Sequence, residues 1–198
     1  MKLIVLKGKD ILPYLDQVAQ LRMGIYREWP YLYEGDLATE KNYLKVYAEA
    51  KDSLLVVATE GDQVIGIAIG LPLNESIEQI QDVFREKQVS MENCYYFADE
   101  VLIKEYRGQI GLTMNQKFEQ AVGELKRYGE IYGFEIVREA NDPRKPEGYR
   151  SLDPLWEKLG YGVIPGWEAH VEWLDVGDAE KTSHLMRFRK KSMGIEPL

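Results

Sequence analysis

Apolar residues along this chain follow two periodicities, and the switches between them mark out the elements. Lys2 to Leu6 is a short extended run that predicts a first strand. Over Lys9 to Trp29, the positions Ile11, Leu12, Leu15, Val18, Ala19, Leu21 and Tyr26 recur near helical spacing. Asp10 is placed to cap that helix, Pro13 falls in its first turn, and Pro30 closes it. A second helix is predicted over Thr39 to Ala50, with Thr39 as its cap. Ser53 to Thr59 (SLLVVAT) and Gln63 to Leu73 (QVIGIAIGLPL) flank the turn Glu60-Gly61-Asp62 and read as a hairpin. Asn74 caps a polar helix to about Gln88, with Ile77, Ile80, Val83 and Phe84 on one face.

Tyr95 to Ile103 is rich in aromatic and branched residues and predicts a half-buried strand. Lys104 to Gly111 breaks the pattern. From Leu112, helical spacing resumes through Met114, Phe118, Ala121, Val122 and Leu125, and the unit extends to about Tyr132. Phe134 to Arg138 (FEIVR) is a strand, Asn141 to Ser151 a loop, and Asp153 to Leu159 a short helix stopped by Gly160. Val163-Ile164, Ala169 to Leu174 and Leu185 to Arg189 are the last strand candidates, with a turn at Pro165-Gly166 and a tail expected to fray from Lys190. Strands and helices alternate irregularly, which predicts one mixed α/β domain over residues 1–198.

The composition narrows the function classes. A net charge of −8 argues against a general nucleic-acid or anionic-membrane surface. No apolar run approaches a membrane span, and the N-terminal run is too short for a signal peptide. The single Cys94 allows no intrachain disulfide and fits a reducing, cytoplasmic setting. Cys94 with only His170 and His184, far apart, gives no basis for a Cys/His zinc site, and no metal is expected.

The stretch from Tyr95 to Gln116 (YYFADEVLIKEYRGQIGLTMNQ) reads as strand, glycine turn and helix. Such a turn leaves backbone N–H groups unpaired along the helix dipole, a ready site for phosphate or pyrophosphate. Arg107 adds a charged donor, and Gly108 and Gly111 allow close approach to the backbone. The plainer role of these residues is a simple strand-to-helix connection.

In order and residues the chain resembles the GNAT family of acetyl-CoA-dependent N-acetyltransferases. The likeness rests on an early helix pair followed by a hairpin, on DEVLIKEYRGQIG and its helix, on FEIVR with an Asn-led loop, and on LWEKLGY at Leu155 to Tyr161. It implies a mostly antiparallel mixed sheet flanked by helices and splayed at its central strand. It also implies acetyl-CoA as co-substrate and direct attack on the thioester by an amine of a small molecule or a protein. Dimers are common among such proteins, and a homodimer is compatible with the likeness.

The resemblance places the coenzyme on Val101, Leu102 and Ile103, on the turn Arg107, Gly108, Gln109, Ile110, Gly111 and Leu112, and on Asn141. Two features depart from the family pattern. Ile110 and Leu112 stand where small residues are usual, so the turn reads as crowded or one residue short. Trp156 stands where a tyrosine often protonates the thiolate, and indole cannot do so; Tyr149, Tyr161 or solvent would serve instead.

Asp99 and Glu100 are consecutive acids in a strand and point to opposite faces. Acids are poor central-strand residues, so one is expected to line the site and accept the amine proton; the resemblance puts Asp99 nearer the family's acidic position, with Glu100 as the backup. The alternative is an ion pair with an arginine such as Arg22 or Arg138. Tyr26, Trp29, Tyr31 and Tyr33 would border the acceptor or form a satellite apolar cluster. The competing function is a catalytically inactive GNAT-like domain that binds acyl-CoA as a sensor or scaffold.

Overall fold

Residues 1–194 are described by a computed structural model. The elements in chain order are β1 (Lys2–Lys7), α1 (Leu15–Tyr26), α2 (Leu37–Glu49), β2 (Leu54–Glu60), β3 (Gln63–Pro72), α3 (Glu78–Glu86) and β4 (Cys94–Leu102). They continue with α4 (Gly111–Glu124), β5 (Glu130–Ile136), α5 (Asp153–Leu159), β6 (Gly162–Leu174) and β7 (Lys181–Ser192). The strands form one 7-stranded sheet in the order β1-β2-β3-β4-β5-β7-β6, and only β4 and β5 run parallel. This is the mixed α/β domain that the element order predicts, with the mostly antiparallel sheet that the family resemblance implies. None of the described helices is long and apolar enough to cross a membrane.

β2 and β3 are buried on both faces, which is why they read as continuous apolar runs rather than alternating ones. On one face, Val57, Ile67 and Tyr96 pack against Val18, Leu44 and Phe84 from α1, α2 and α3. On the other, Val56, Ile65 and Phe97 pack against Met114, Phe118 and Leu159 from α4 and α5. Each such fully buried side chain contributes about 1.5–3 kcal/mol.

The structure corrects several predicted boundaries. The first helix opens as a 3-10 segment over Gly8–Tyr14 that contains Pro13, and α-helix begins only at Leu15; Pro13 has no N–H to give to a longer α-helix. Asp36, not Thr39, caps α2, accepting from the Thr39 N–H at 3.0 Å. Asn74 lies in a 3-10 turn, and α3 starts at Glu78 after Ile77. α4 ends at Glu124 rather than near Tyr132, because Ile131 and Tyr132 pair with β4. β6 runs through Pro165-Gly166 with an irregular register between Val163 and Glu168. It is an edge strand, where a proline is tolerated. The expected fraying from Lys190 does not occur up to Ser192, which pairs with Glu130; residues 195–198 lie outside the described residues.

One irregularity in β4 sets up the site. Ile69 pairs with Asp99 and Gly70 with Phe97, so Ala98 is an extra, bulged residue. Gly70 permits it: a Cβ there would lie 2.4 Å from the Tyr96 carbonyl oxygen. Before the bulge, Phe97 faces α4 and Tyr96 faces α1; after it, Val101 faces α1 and Leu102 faces α4. The extra residue turns Asp99 toward α1 and Glu100 toward α4.

Candidate active site

β4 stays paired with β3 as far as Leu102 opposite Gly66. It is paired with β5 only from Cys94 opposite Glu130 to Phe97 opposite Gly133. Beyond Gly133, β5 continues to Ile136 bonded to β7 alone, so the two strands diverge. The gap is a cleft of about 650 Å³ between Phe97–Leu102 and Phe134–Ala140. The Ile103 N–H donates to Ile65 O at 3.0 Å, so Ile103 faces β3. Backbone direction alternates along a strand, which leaves the N–H and C=O of Glu100 and Leu102 facing the cleft.

At the vertex of the cleft, Trp156 lies over Gly133, where a Cβ would stand 3.3 Å from the indole. α5, which carries Trp156, is tied to the sheet by Asp153, which accepts from Arg187 and Arg189; both arginines also donate to Glu135 Oε1 at 2.6 Å. The loop after α1 is held from β5's end: Arg138 donates to Pro30 O at 2.8 Å and Tyr31 O at 2.7 Å, and pairs with Asp175 at 2.8 and 2.9 Å. That anchoring sets Trp29 and Tyr31 on the cleft wall, with Tyr149 edge-on to Trp29 at 6.1 Å between ring centroids. The indole N–H groups of Trp29 and Trp156 are buried without a partner among the described residues, and both residues line the cleft. Buried donors normally have acceptors, so these two fit a ligand that brings polar atoms into the cleft.

The turn between β4 and α4 is a 3-10 turn over Lys104–Tyr106, followed by Gly108 at φ +79°. The first intrahelical bond of α4 runs from the Met114 N–H to Ile110 O at 2.9 Å. The N–H groups of Gly111, Leu112 and Thr113 therefore point out of the helix start. Arg107 donates from Nε to Leu102 O at 3.0 Å and pairs with Glu28 at 2.8 Å, spanning from the strand to the end of α1.

The predicted crowding at Ile110 is resolved by burial: its side chain packs into the core with Met114 and Phe118. Gln109 folds back onto Glu105 O at 3.0 Å, and Leu112 packs against the core. Of the residues expected to hold the coenzyme, Val101, Leu102, Arg107, Gly108 and Gly111 line the cleft. Ile103, Gln109, Ile110, Leu112 and the exposed Asn141 do not.

The two acids part company. Asp99 is buried, one oxygen accepting from Arg22 and the other from the Tyr26 hydroxyl, while Arg22 Nε also donates to Glu40 at 2.8 Å. Burial pushes its carboxyl above the ordinary value, and the Arg22 charge works against that. This is the ion pair set out as the alternative for Asp99, with Arg22 as partner; Asp99 also lines the cleft. Arg138, the other arginine named, serves Asp175 instead. Glu100 is half-buried, lines the cleft and accepts from Asn115 Nδ2 at 3.2 Å. Burial raises its pKa to about 7; the Asn115 bond lowers it in part and the Glu119 charge raises it. Gly111 makes room for this carboxylate, since a Cβ there would be 3.2 Å from Glu100 Oε1.

Tyr149 lines the cleft and Tyr161 does not: Tyr161 is fully buried behind Trp156, with ring centroids 5.1 Å apart. Tyr26, Trp29 and Tyr31 reach the cleft. Tyr33 stands away from it, in a β-bridge with Asp175. Sequence reasoning missed Glu28 and Glu135. The signal for Glu135 was available, because it too is an acid inside a predicted strand.

No family model matches the chain, and no curated protein matches it. Solved structures do. A GNAT-family protein from Desulfovibrio desulfuricans aligns over 98% of this chain and 100% of its own, with TM-score 0.56 and 12% identity. The chain has the GNAT fold. An aminoglycoside 6'-N-acetyltransferase from Enterococcus faecium covers 100% of both chains with TM-score 0.59 and 14% identity. PaiA N-acetyltransferase from Thermoplasma acidophilum, solved with coenzyme A, covers 97% of this chain and 99% of its own, with TM-score 0.55 and 14% identity. At these identities the likeness is one of fold.

Proposed function

We propose that this chain is an acyl-CoA-dependent N-acyltransferase that passes an acetyl group from acetyl-CoA to a primary amine. One observation carries the reading: β4 loses β5 after Phe97 and Gly133 but keeps β3, so the backbone groups of Glu100 and Leu102 face a cleft beside the start of α4. The structural neighbours include acetyltransferases, among them structures solved with coenzyme A or acetyl-CoA. Fold alone does not fix the acceptor.

When bound, acetyl-CoA supplies a thioester open to direct attack by an amine. Glu100 and Leu102 would bond the amides of its pantetheine arm, and the free N–H groups of Gly111, Leu112 and Thr113 would take its phosphates. The carboxylate of Glu100 would accept the amine proton; a group titrating near 7 is matched to that task. Tyr149, one of the hydroxyl-bearing residues that line the cleft, would donate to the departing sulfur. Trp29 and Tyr31 would flank the acceptor, a small-molecule or protein amine. The single, buried Cys94 accords with a cytoplasmic location.

The test is calorimetric titration with acetyl-CoA, followed by thiol release over a panel of amines. Micromolar binding, about −8 kcal/mol, with release in the presence of an amine is the expected result. A second reading, an acyl-CoA sensor without transfer, is favoured by Trp156 at the vertex of the cleft, whose indole cannot protonate a leaving thiolate. Binding with no release across the panel would decide for it. Absence of binding would remove both.

A further inference from the structure

Behind Glu100, on the face covered by α4 and α5, three polar atoms are buried without a hydrogen-bond partner among the described residues: Asn115 Oδ1, Glu119 Oε1 and the Tyr161 hydroxyl. Asn115 and Tyr161 are 0% exposed. Leaving one such atom dry costs about 1–3 kcal/mol, so three together are a poor dry interior. The usual partner of such groups is ordered water, which typically makes two to four bonds to them.

The three atoms belong to a connected series. Asn115 Nδ2 donates to Glu100 Oε2 at 3.2 Å. Asn115 and Glu119 are four residues apart on α4 and share its inward face. Tyr161 follows α5, and both Glu119 and Glu100 act on its hydroxyl. Glu119 Oε2 accepts from Lys191 Nζ at 2.6 Å, and the Lys191 side chain is 24% exposed. The series begins at the cleft and ends at solvent beside Lys191, on the same face of the sheet.

We propose that water joins Glu100, Asn115, Tyr161 and Glu119 into a proton relay that empties to solvent beside Lys191. The proposal rests on the reading of Glu100 as base. Glu100 takes a proton from the amine and becomes a carboxylic acid. Its O–H bond then breaks toward a water held by Asn115 Oδ1, and that water passes a proton to the next acceptor, the Tyr161 hydroxyl or Glu119 Oε1. Glu119 gives the proton to bulk water, and Glu100 is a carboxylate again; no electrons move and no other reactant is consumed. The groups facing Glu100 are Asn115 and Glu119 from α4 and Tyr161 from the segment after α5, while Asp99 on the same strand points to the opposite face. A cleft filled by coenzyme and acceptor has no free water beside Glu100, and the relay supplies another way out.

Two measurements on the full chain test it. A crystal structure at a resolution that shows ordered water should place water within hydrogen-bond distance of Asn115 Oδ1, Glu119 Oε1 and the Tyr161 hydroxyl. A dry interior, with Glu119 bonded directly to Tyr161 and no water reaching Asn115, overturns the relay. In infrared titration, the carboxylic C=O stretch of Glu100 is assigned by its loss in Glu100→Gln, and Glu119→Gln should lower its midpoint from about 7. An unmoved midpoint also overturns the relay. Undiminished thiol release by Glu100→Gln, with the water in place, would instead remove the base assignment beneath it.

Discussion

Replacing Glu100 by glutamine should make the protein more stable and less active, and the gain should depend on pH in a defined way. The folded structure holds this carboxyl at about 7 against an ordinary 4.5, chiefly through burial. Below 4.5 it is protonated in both folded and unfolded chains, and it costs nothing. Between 4.5 and about 7 the unfolded chain releases the proton while the folded chain keeps it. The unfolded state then binds fewer protons, and stability falls as pH rises. Above about 7 the loss is complete, at most about 3 kcal/mol at about 1.4 kcal/mol per pH unit. Glutamine carries no such charge, and its carbonyl can still accept from Asn115 Nδ2, so the polar contact survives. Urea denaturation of both proteins from pH 4 to pH 8, compared at equal slope, measures the difference. The advantage of Glu100→Gln should be near zero at pH 4 and on the order of 3 kcal/mol at pH 8. Asp99 titrates in both proteins and cancels. A stability difference that is flat across this range would refute the reasoning. The same variant should lose the limb of kcat/KM that rises with pH near 7.

Three further outcomes follow from the geometry. Arg22→Met leaves Asp99 and Glu40 buried without their shared cation and should cost about 3–5 kcal/mol in urea or thermal unfolding; a loss under 1 kcal/mol would mean the pair is solvated. Arg107→Ala should weaken acetyl-CoA binding by roughly tenfold in calorimetry, as expected for a charge-assisted hydrogen bond. It should change stability by less than about 1 kcal/mol, because the Glu28 pair is exposed; unchanged affinity would remove the phosphate role of Arg107. Gly133→Val drives methyl groups toward the Trp156 indole, already 3.3 Å from a Cβ, and should cost about 1–3 kcal/mol while abolishing coenzyme binding. Full binding by that variant would place the coenzyme away from the vertex.

What was legible in the sequence was local. Apolar periodicity located the hairpin of β2 and β3 and the helix α5, whose stop at Gly160 coincides with a left-handed residue at φ +86°. It located the strand–turn–helix unit as well. The chain runs on as strand through Tyr132 because Ile131 and Tyr132 are claimed by β4, a pairing between residues over 30 positions apart that no local pattern contains. The aromatic loop after α1 was identifiable, but the arginine that holds it, Arg138, comes from a strand end over 100 residues later.

The division of labour between Asp99 and Glu100 shows most clearly where sequence reasoning stops. Strand alternation correctly put them on opposite faces but could not say which face was which. The answer depends on Ala98, an ordinary residue that nothing in the sequence marks as a bulge. With a regular strand, Asp99 would fall on the Phe97 side, against α4, and Glu100 against α1. The extra residue exchanges them. It brings Asp99 to Arg22 and Tyr26, where its charge is neutralised, and leaves Glu100 with one neutral amide and a raised pKa. Gly70 is the partner that makes this possible, since any side chain there would collide with the Tyr96 carbonyl. Which acid meets Arg22 and which meets Asn115 is therefore set by a glycine on the neighbouring strand.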